Sequence, residues 1–138
     1  MKNPEIIEFA PKGSSELGFL SIAENLKSIP FEVKRVFWLY DVASYIERGN
    51  HAHRETEQIL ICMNGEIEFF AEMPDREKFN FTINSPSAGI YIPACAWHYM
   101  KYKKGTIQLV LASTLFSEDD YFREYVDFDK YYRPGFTK

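Results

Sequence analysis

The chain has 138 residues, 46% of them apolar and 17% aromatic, and a formal net charge of −4. That length and apolar content suffice for one buried core and exclude a disordered chain. The acidic balance excludes non-specific nucleic-acid binding, which needs a basic surface, but leaves a small anionic ligand open because a few local arginines can hold a phosphate.

The amino terminus, "MKNPEIIEF", lacks the apolar centre of a secretory signal. "FEVKRVFWLYDV" (31–42), bounded by Pro30, is β-branched and aromatic and predicts a strand. "EQILICMNGEIEFFAEM" (57–73) predicts two strands joined as a hairpin at Asn64-Gly65. "KFNFTIN" (78–84) alternates apolar and polar residues, the period of a half-buried strand. "AGIYIPACAWHYM" (88–100) and "TIQLVLASTLF" (106–116) follow, divided by Lys-Lys-Gly. In "SEDDYFREYVDFDKYY" (117–132) Ser117 is a candidate N-cap with acids in the first turn, so a short terminal helix is predicted, its aromatics Tyr121, Phe122, Tyr125 and Phe128 pinning it to the sheets. No repeat, linker or low-complexity tract divides the chain, which predicts one domain over 1–138. Many short strands with one late helix predict an all-β fold, best a small jelly roll. No apolar run approaches the ~20 residues of a membrane span. Cys62 and Cys95 are too few for a disulfide framework or zinc ribbon and predict free thiols in a cytoplasmic protein.

Candidate chemistry gathers in "ERGNHAHRETEQ" (47–58). On an extended strand His51 and His53 point the same way and Ala52 the other. The third histidine, His98, opens another strand after the proline turn of "IPACAWHYM". Two chemistries fit. His51, His53, Glu57 and His98 form a set of three imidazoles and one carboxylate that suits a transition metal by ligand type. Alternatively, the imidazoles move protons on a bound substrate with no metal, since a neutral imidazole with an ordinary pKa near ~6.5 is a suitable base near neutral pH.

The His-x-His-x₃-Glu pattern and the later Pro-then-His resemble the paired motifs of the cupin superfamily, with Cys95 where a glycine is usual. "IPFEVKRVFWLYDV", "ERGNHAHRETEQILICMNGEIEF", "INSPSAGIYIPACAWHYM" and "LVLASTLFSEDDYFREY" together resemble the dTDP-4-keto-6-deoxyhexose 3,4-ketoisomerases, over roughly residues 15 to 128. Arg48-Gly49-x-His51 is also similar to a motif of the related dTDP-sugar 3,5-epimerases. The resemblance implies a metal-free cupin-type jelly roll with no cofactor called for, usually a homodimer that exchanges amino-terminal strands. It also implies isomerisation of dTDP-4-keto-6-deoxy-D-glucose to a 3-keto sugar, whose aminated product serves surface polysaccharide such as O-antigen. Carried over by position, His51 is the base and His53 its neighbour in the cavity. Arg48 then lies near the diphosphate, and Arg35, Gln58, Tyr91 and His98 are further substrate contacts.

The chain departs from the family pattern at three positions. Leu17, in "SELGF", stands where members carry a polar side chain close to the sugar, and Phe37-Trp38 stands for a Tyr-Tyr pair. A hydroxyl lost there must come from elsewhere, with Tyr40, Tyr45 and Tyr91 as candidates. These departures keep a non-catalytic dTDP-sugar binder as an alternative to the isomerase, and the set His51, His53, Glu57 and His98 keeps a metal-dependent cupin as another.

Overall fold

The computed structural model describes residues 2–135. Its centre is eight strands: β4 (Arg35–Leu39), β5 (Glu47–His53), β6 (Gln58–Asn64), β7 (Ile67–Glu72), β8 (Lys78–Ile83), β9 (Ala88–Ile92), β10 (Trp97–Tyr102) and β11 (Ile107–Ala112). They pair in nested antiparallel couples, β7 with β8, β6 with β9, β5 with β10 and β4 with β11. The chain thus behaves as one long hairpin, bent at β7–β8 and rolled up. Cross-pairing of β6 with β11 and of β7 with β10 closes the roll into two sheets, a jelly roll. A short strand, β1 (Glu5–Glu8), adds to the edge beside β9, and a small hairpin of β2 (Lys12–Ser14) and β3 (Gly18–Leu20) stands apart as its own two-stranded sheet.

The hairpin expected at Asn64-Gly65 is not formed. β6 and β7 lie in different sheets, and the two residues carry the chain across the sandwich instead. Gly65 has φ +90, and a Cβ there would fall 2.4 Å from Thr106 Oγ1. The Thr106 hydroxyl instead accepts from the Glu66 amide and donates to the Lys103 carbonyl, fastening the crossing to the start of β11. Asn-Gly supplies the left-handed turn in either case; the buried pattern of β6, whose first five residues are all buried, decides that both its edges are occupied by β9 and β11. The tight turn lies instead at Met73–Glu77.

Alternation along the strands divides the side chains. Leu60, Cys62, Ile67, Phe69, Ile90, Met100 and Val110 fill the space between the sheets. Ile59, Ile61, Tyr91 and Leu111, on the outer face of the first sheet (order β1-β9-β6-β11-β4), are covered by Phe9, Ile29 and Phe31 of the amino-terminal arm.

The predicted short terminal helix is present, but it starts later than Ser117. Ser117 starts only a three-residue 3-10 turn, Glu118–Asp120, and makes no side-chain cap. A two-residue strand, β12 (Tyr121–Phe122), then pairs with β5, and the helix α1 begins at Tyr125 and ends at Tyr132. The reason is local. The Asp120 carboxylate accepts hydrogen bonds from the Glu55 amide and the Thr56 hydroxyl, and its carbonyl from the Arg54 amide, so the segment is tied to the end of β5 before a helical turn can form. Phe122 and Phe128 do pin the helix, packing with the fully buried Ala52. Arg133 anchors it with bonds to Glu72, Asp129, Tyr125 and the carbonyls of Met73 and Pro74.

Candidate active site

A bulge in β5 sets the site. His98 faces His51, but Tyr99 faces Gly49 and Met100 faces Arg48, so Asn50 is the extra residue. Gly49 and Asn50 both have positive φ, +100 and +56, and a Cβ on Gly49 would lie 3.0 Å from the His98 carbonyl oxygen. In a regular strand residues 49, 51 and 53 would share a face and Arg48 would point away. The bulge instead turns Arg48 inward, opposite Met100 of the core, while His51 and His53 keep the same face. One extra residue therefore aims the Arg48 guanidinium into the space that the His51 imidazole faces.

That space is a cleft of about 420 Å³ lined by Phe37, Arg48, Gly49, His51, Gln58, Tyr121 and Arg123. The ring centroids of His51 lie 5.0 Å from His53, 4.7 Å from His98 and 5.2 Å from Tyr121, all edge-on. His53 is 3% exposed, and its Nδ1 sits 2.9 Å from Asp120 Oδ2. A carboxylate accepts, so Nδ1 carries the proton and Nε2, buried without a hydrogen-bond partner among the described residues, presents its lone pair. His98 is fixed likewise, its Nδ1 donating to the Ala96 carbonyl at 2.9 Å.

Burial dominates the electrostatics. Loss of water, and then the neighbouring His53, push His51 down to about 4. Burial lowers His53 as well, outweighing the opposite pull of Asp120. His98, fully enclosed and next to His51, is likewise held well below the ordinary histidine value. Burial works against the Asp120 carboxylate, but bonds from Thr56, the Glu55 amide and His53 together hold it below the usual range. Near neutral pH the cluster is thus three neutral imidazoles beside one carboxylate. The positive charge sits at the rim, on Arg48 and Arg123, the latter paired with Glu118 and lying 4.2 Å over the Tyr121 ring.

Of the residues singled out from sequence, His51, His53, His98, Arg48 and Gln58 come together on the inner faces of the two sheets. Arg35 also faces inward, opposite Ala112, with its guanidinium against the rings of Phe37 and Phe116 and its Nε buried without a hydrogen-bond partner among the described residues. Tyr91 does not join them: it shares the outer face with Ile59 and donates to Glu57. Glu57 is in turn paired with Lys2, so three imidazoles and the Glu57 carboxylate are not assembled as one ligand set. Tyr40 and Tyr45 are exposed and line no part of the cleft. Phe37 lines it, whereas Trp38 points outward and Leu17, 92% exposed, caps the β2–β3 hairpin. Sequence reasoning missed Asp120, Tyr121 and Arg123. All three come from the segment misread as the start of a helix; its one usable signal is the run of acids ahead of an aromatic pair.

Over residues 2–133 the chain matches the family described as FdtA, WxcM-like C-terminal, and it belongs to that family. A relative from Aneurinibacillus thermoaerophilus, TDP-4-oxo-6-deoxy-alpha-D-glucose-3,4-oxoisomerase, is 35% identical over 128 residues, covering 92% of this chain and 91% of the relative. The crystal structure of QdtA, a sugar 3,4-ketoisomerase from Thermoanaerobacterium thermosaccharolyticum in complex with TDP, superposes with a TM-score of 0.88 at 34% identity, covering 98% of each chain. That of a 3,4-ketoisomerase from Helicobacter canadensis gives 0.89 at 36% identity, covering 96% of this chain and 98% of the other.

Proposed function

We propose that the chain is a TDP-sugar 3,4-ketoisomerase acting on TDP-4-keto-6-deoxy-D-glucose, with His51 as the base that carries a proton between carbons 3 and 4. The observation that carries the reading is His51 itself: a neutral imidazole on the wall of a cleft whose rim holds two guanidiniums. Membership of the family and the named activity of its relatives support it. The hydrogen on carbon 3 is acidified by the adjacent ketone, because its loss gives a resonance-stabilised enediolate. One base can take that proton and return it to carbon 4. Arg48 and Arg123 suit the diphosphate, which guanidiniums bind bidentately. His53, oriented by Asp120, braces the His51 ring edge-on and, by staying neutral, avoids adding a second positive charge when His51 is protonated. The reaction asks for no metal in this scheme, and its product suits an aminotransferase of 3-amino-3,6-dideoxyhexose synthesis.

A homodimer fits the surface. Val36, Trp38, Met63 and Ile107 are exposed large apolar residues, and Phe19 and Leu20 of the β2–β3 hairpin are exposed too. An apolar hollow of about 640 Å³ between that hairpin and the outer face of the first sheet, lined by Phe9, Leu20, Ile61, Met63 and Leu109 among others, adds to the same surface. Exchange of the amino-terminal strands with a second copy would cover it and carry Leu17 toward the partner.

The test is proton NMR of TDP-4-keto-6-deoxy-D-glucose with the protein in D₂O, chelator present. A 3-keto sugar with deuterium at carbon 4 is the expected product. An unchanged sugar in the presence of bound TDP would reduce the protein to a binder, and turnover restored only by added metal would replace the proton-transfer scheme.

A further inference from the structure

Moving a ketone from carbon 4 to carbon 3 takes two proton transfers, one between the carbons and one between the oxygens. Breaking the carbon 3–hydrogen bond leaves electrons that form the carbon 3–carbon 4 double bond and push the carbonyl pair onto oxygen 4, which must gain a proton. The hydroxyl on oxygen 3 must then lose one as the new carbonyl forms and carbon 4 is protonated. The base for the carbons approaches perpendicular to the plane of the enediol, because the breaking C–H bond must overlap the carbonyl π system. The two oxygens lie in that plane. A single imidazole above it does not serve both.

Among the residues lining the cleft, Phe37, Gly49 and Gln58 do not titrate and the two arginines keep their protons. His51 and Tyr121 are the two groups of the lining that can exchange one. His53, although next to both, is 3% exposed and is not part of the lining. Tyr121 stands opposite His53 on β12, so the pairing puts its ring on the same inward face, 5.2 Å from His51 and 4.4 Å from His53. Its hydroxyl makes no hydrogen bond among the described residues. The same short segment supplies Asp120 to His53 and Arg123 to the rim, so the backbone around Tyr121 is fixed on both sides.

We propose that Tyr121 is a second catalytic residue, the relay on the oxygen side: its hydroxyl protonates oxygen 4 as His51 removes the proton from carbon 3, and the phenolate then takes the proton of oxygen 3. His51 returns its proton to carbon 4, and both groups end as they began, with no oxidant or reductant used. The role rests on the ketoisomerase reading above, and it makes up for the hydroxyl missing at Phe37, the one of the two departing aromatics that lines the cleft.

The experiment compares wild type with Tyr121→Phe in D₂O, following both isomerisation and exchange of the carbon 3 hydrogen. The phenyl ring keeps the packing against the histidines. Isomerisation is expected to fall about 100-fold or more, with the KM within about threefold and carbon 3 exchange falling less than isomerisation, because the carbon-side base is intact. Tyr121→Phe turning over within threefold of wild type overturns the relay, and so does an equal loss of exchange and isomerisation. A ring-fluorinated tyrosine at 121, whose phenol is more acidic, is expected to move the alkaline limb of kcat to lower pH; an unmoved limb also overturns the role. A wild-type protein that binds TDP but leaves the sugar unchanged sinks the ketoisomerase reading itself, an outcome separate from any result with the variants.

Discussion

At the scale of single residues, the cluster His51, His53 and His98 trades stability in acid for imidazoles that are already free of their second proton. All three imidazoles are held below the ordinary histidine value by burial. Between the folded and unfolded values the unfolded chain binds more protons, so the free energy of unfolding rises with pH across that window. Urea midpoints are therefore expected to fall as the pH is lowered from about 6.5 toward the folded value of His51, about 4. A midpoint flat over that range would mean the rings are solvated. For the same reason the acid limb of kcat/KM, which reports the free enzyme, is expected near 4 and not near the ordinary histidine value; circular dichroism at each pH separates titration from unfolding. His51→Gln should lower kcat by about 10²–10⁴ while TDP binding, measured by calorimetry, persists through Arg48 and Arg123. Much of this cluster was legible in the chain: a histidine pair on one face, a third histidine after a proline turn, and an arginine and a glycine just before them. Asp120 and Tyr121 were not, because their role depends on strand pairing between residues 67 or more positions apart in sequence, which no local pattern reports.

At the scale of elements, two short devices determine where functional atoms go. The bulge at Asn50 turns Arg48 inward, and it depends on Gly49, whose positive φ and closeness to the His98 carbonyl leave no room for a side chain. Gly49→Val is expected to cost about 1–3 kcal/mol in urea unfolding and to weaken TDP binding as Arg48 is re-aimed; intact affinity would show that the arginine does not contact the ligand. The second device is Arg133, 4% exposed, which ties α1 to β7 through Glu72 and to the turn after it through the Met73 and Pro74 carbonyls. Arg133→Met removes the charge that Glu72 and Asp129 face, and a loss of about 3 kcal/mol is expected, in the range for breaking a buried ion pair. The Asn64-Gly65 turn shows why element type was easier to read than pairing. Composition identified strands on both sides of it, and the dipeptide identified a left-handed turn. Whether those strands become neighbours depends on the other edges available to each, and β6 was already flanked by β9 and β11.

At the scale of the whole molecule, the nested order of pairs brings distant stretches together. β5 and β10 join across more than 40 residues, and β4 and β11 across about 70. Such non-local contacts predict slow folding, since loop closure must precede the contacts that reward it. The amphipathic arm and the exposed apolar face of the first sheet predict association. Sedimentation is expected to give a dimer, and Trp38→Glu, placed on that exposed face and outside the cleft, is expected to shift it toward monomer. A wild-type monomer at micromolar concentration would remove the dimer proposal without touching the cleft.

The roll of eight strands is complete at Ala112, whereas Asp120, Tyr121 and Arg123 follow it. During synthesis, therefore, the sandwich has all its strands before the proposed catalytic constellation has all its members. A nascent chain halted just past β11 would carry both histidines of β5 in place, with neither the carboxylate that orients one nor the phenol that faces the other. Chemistry is in this sense the last thing the polypeptide acquires, and activity doubles as a report that translation ran through the final strand.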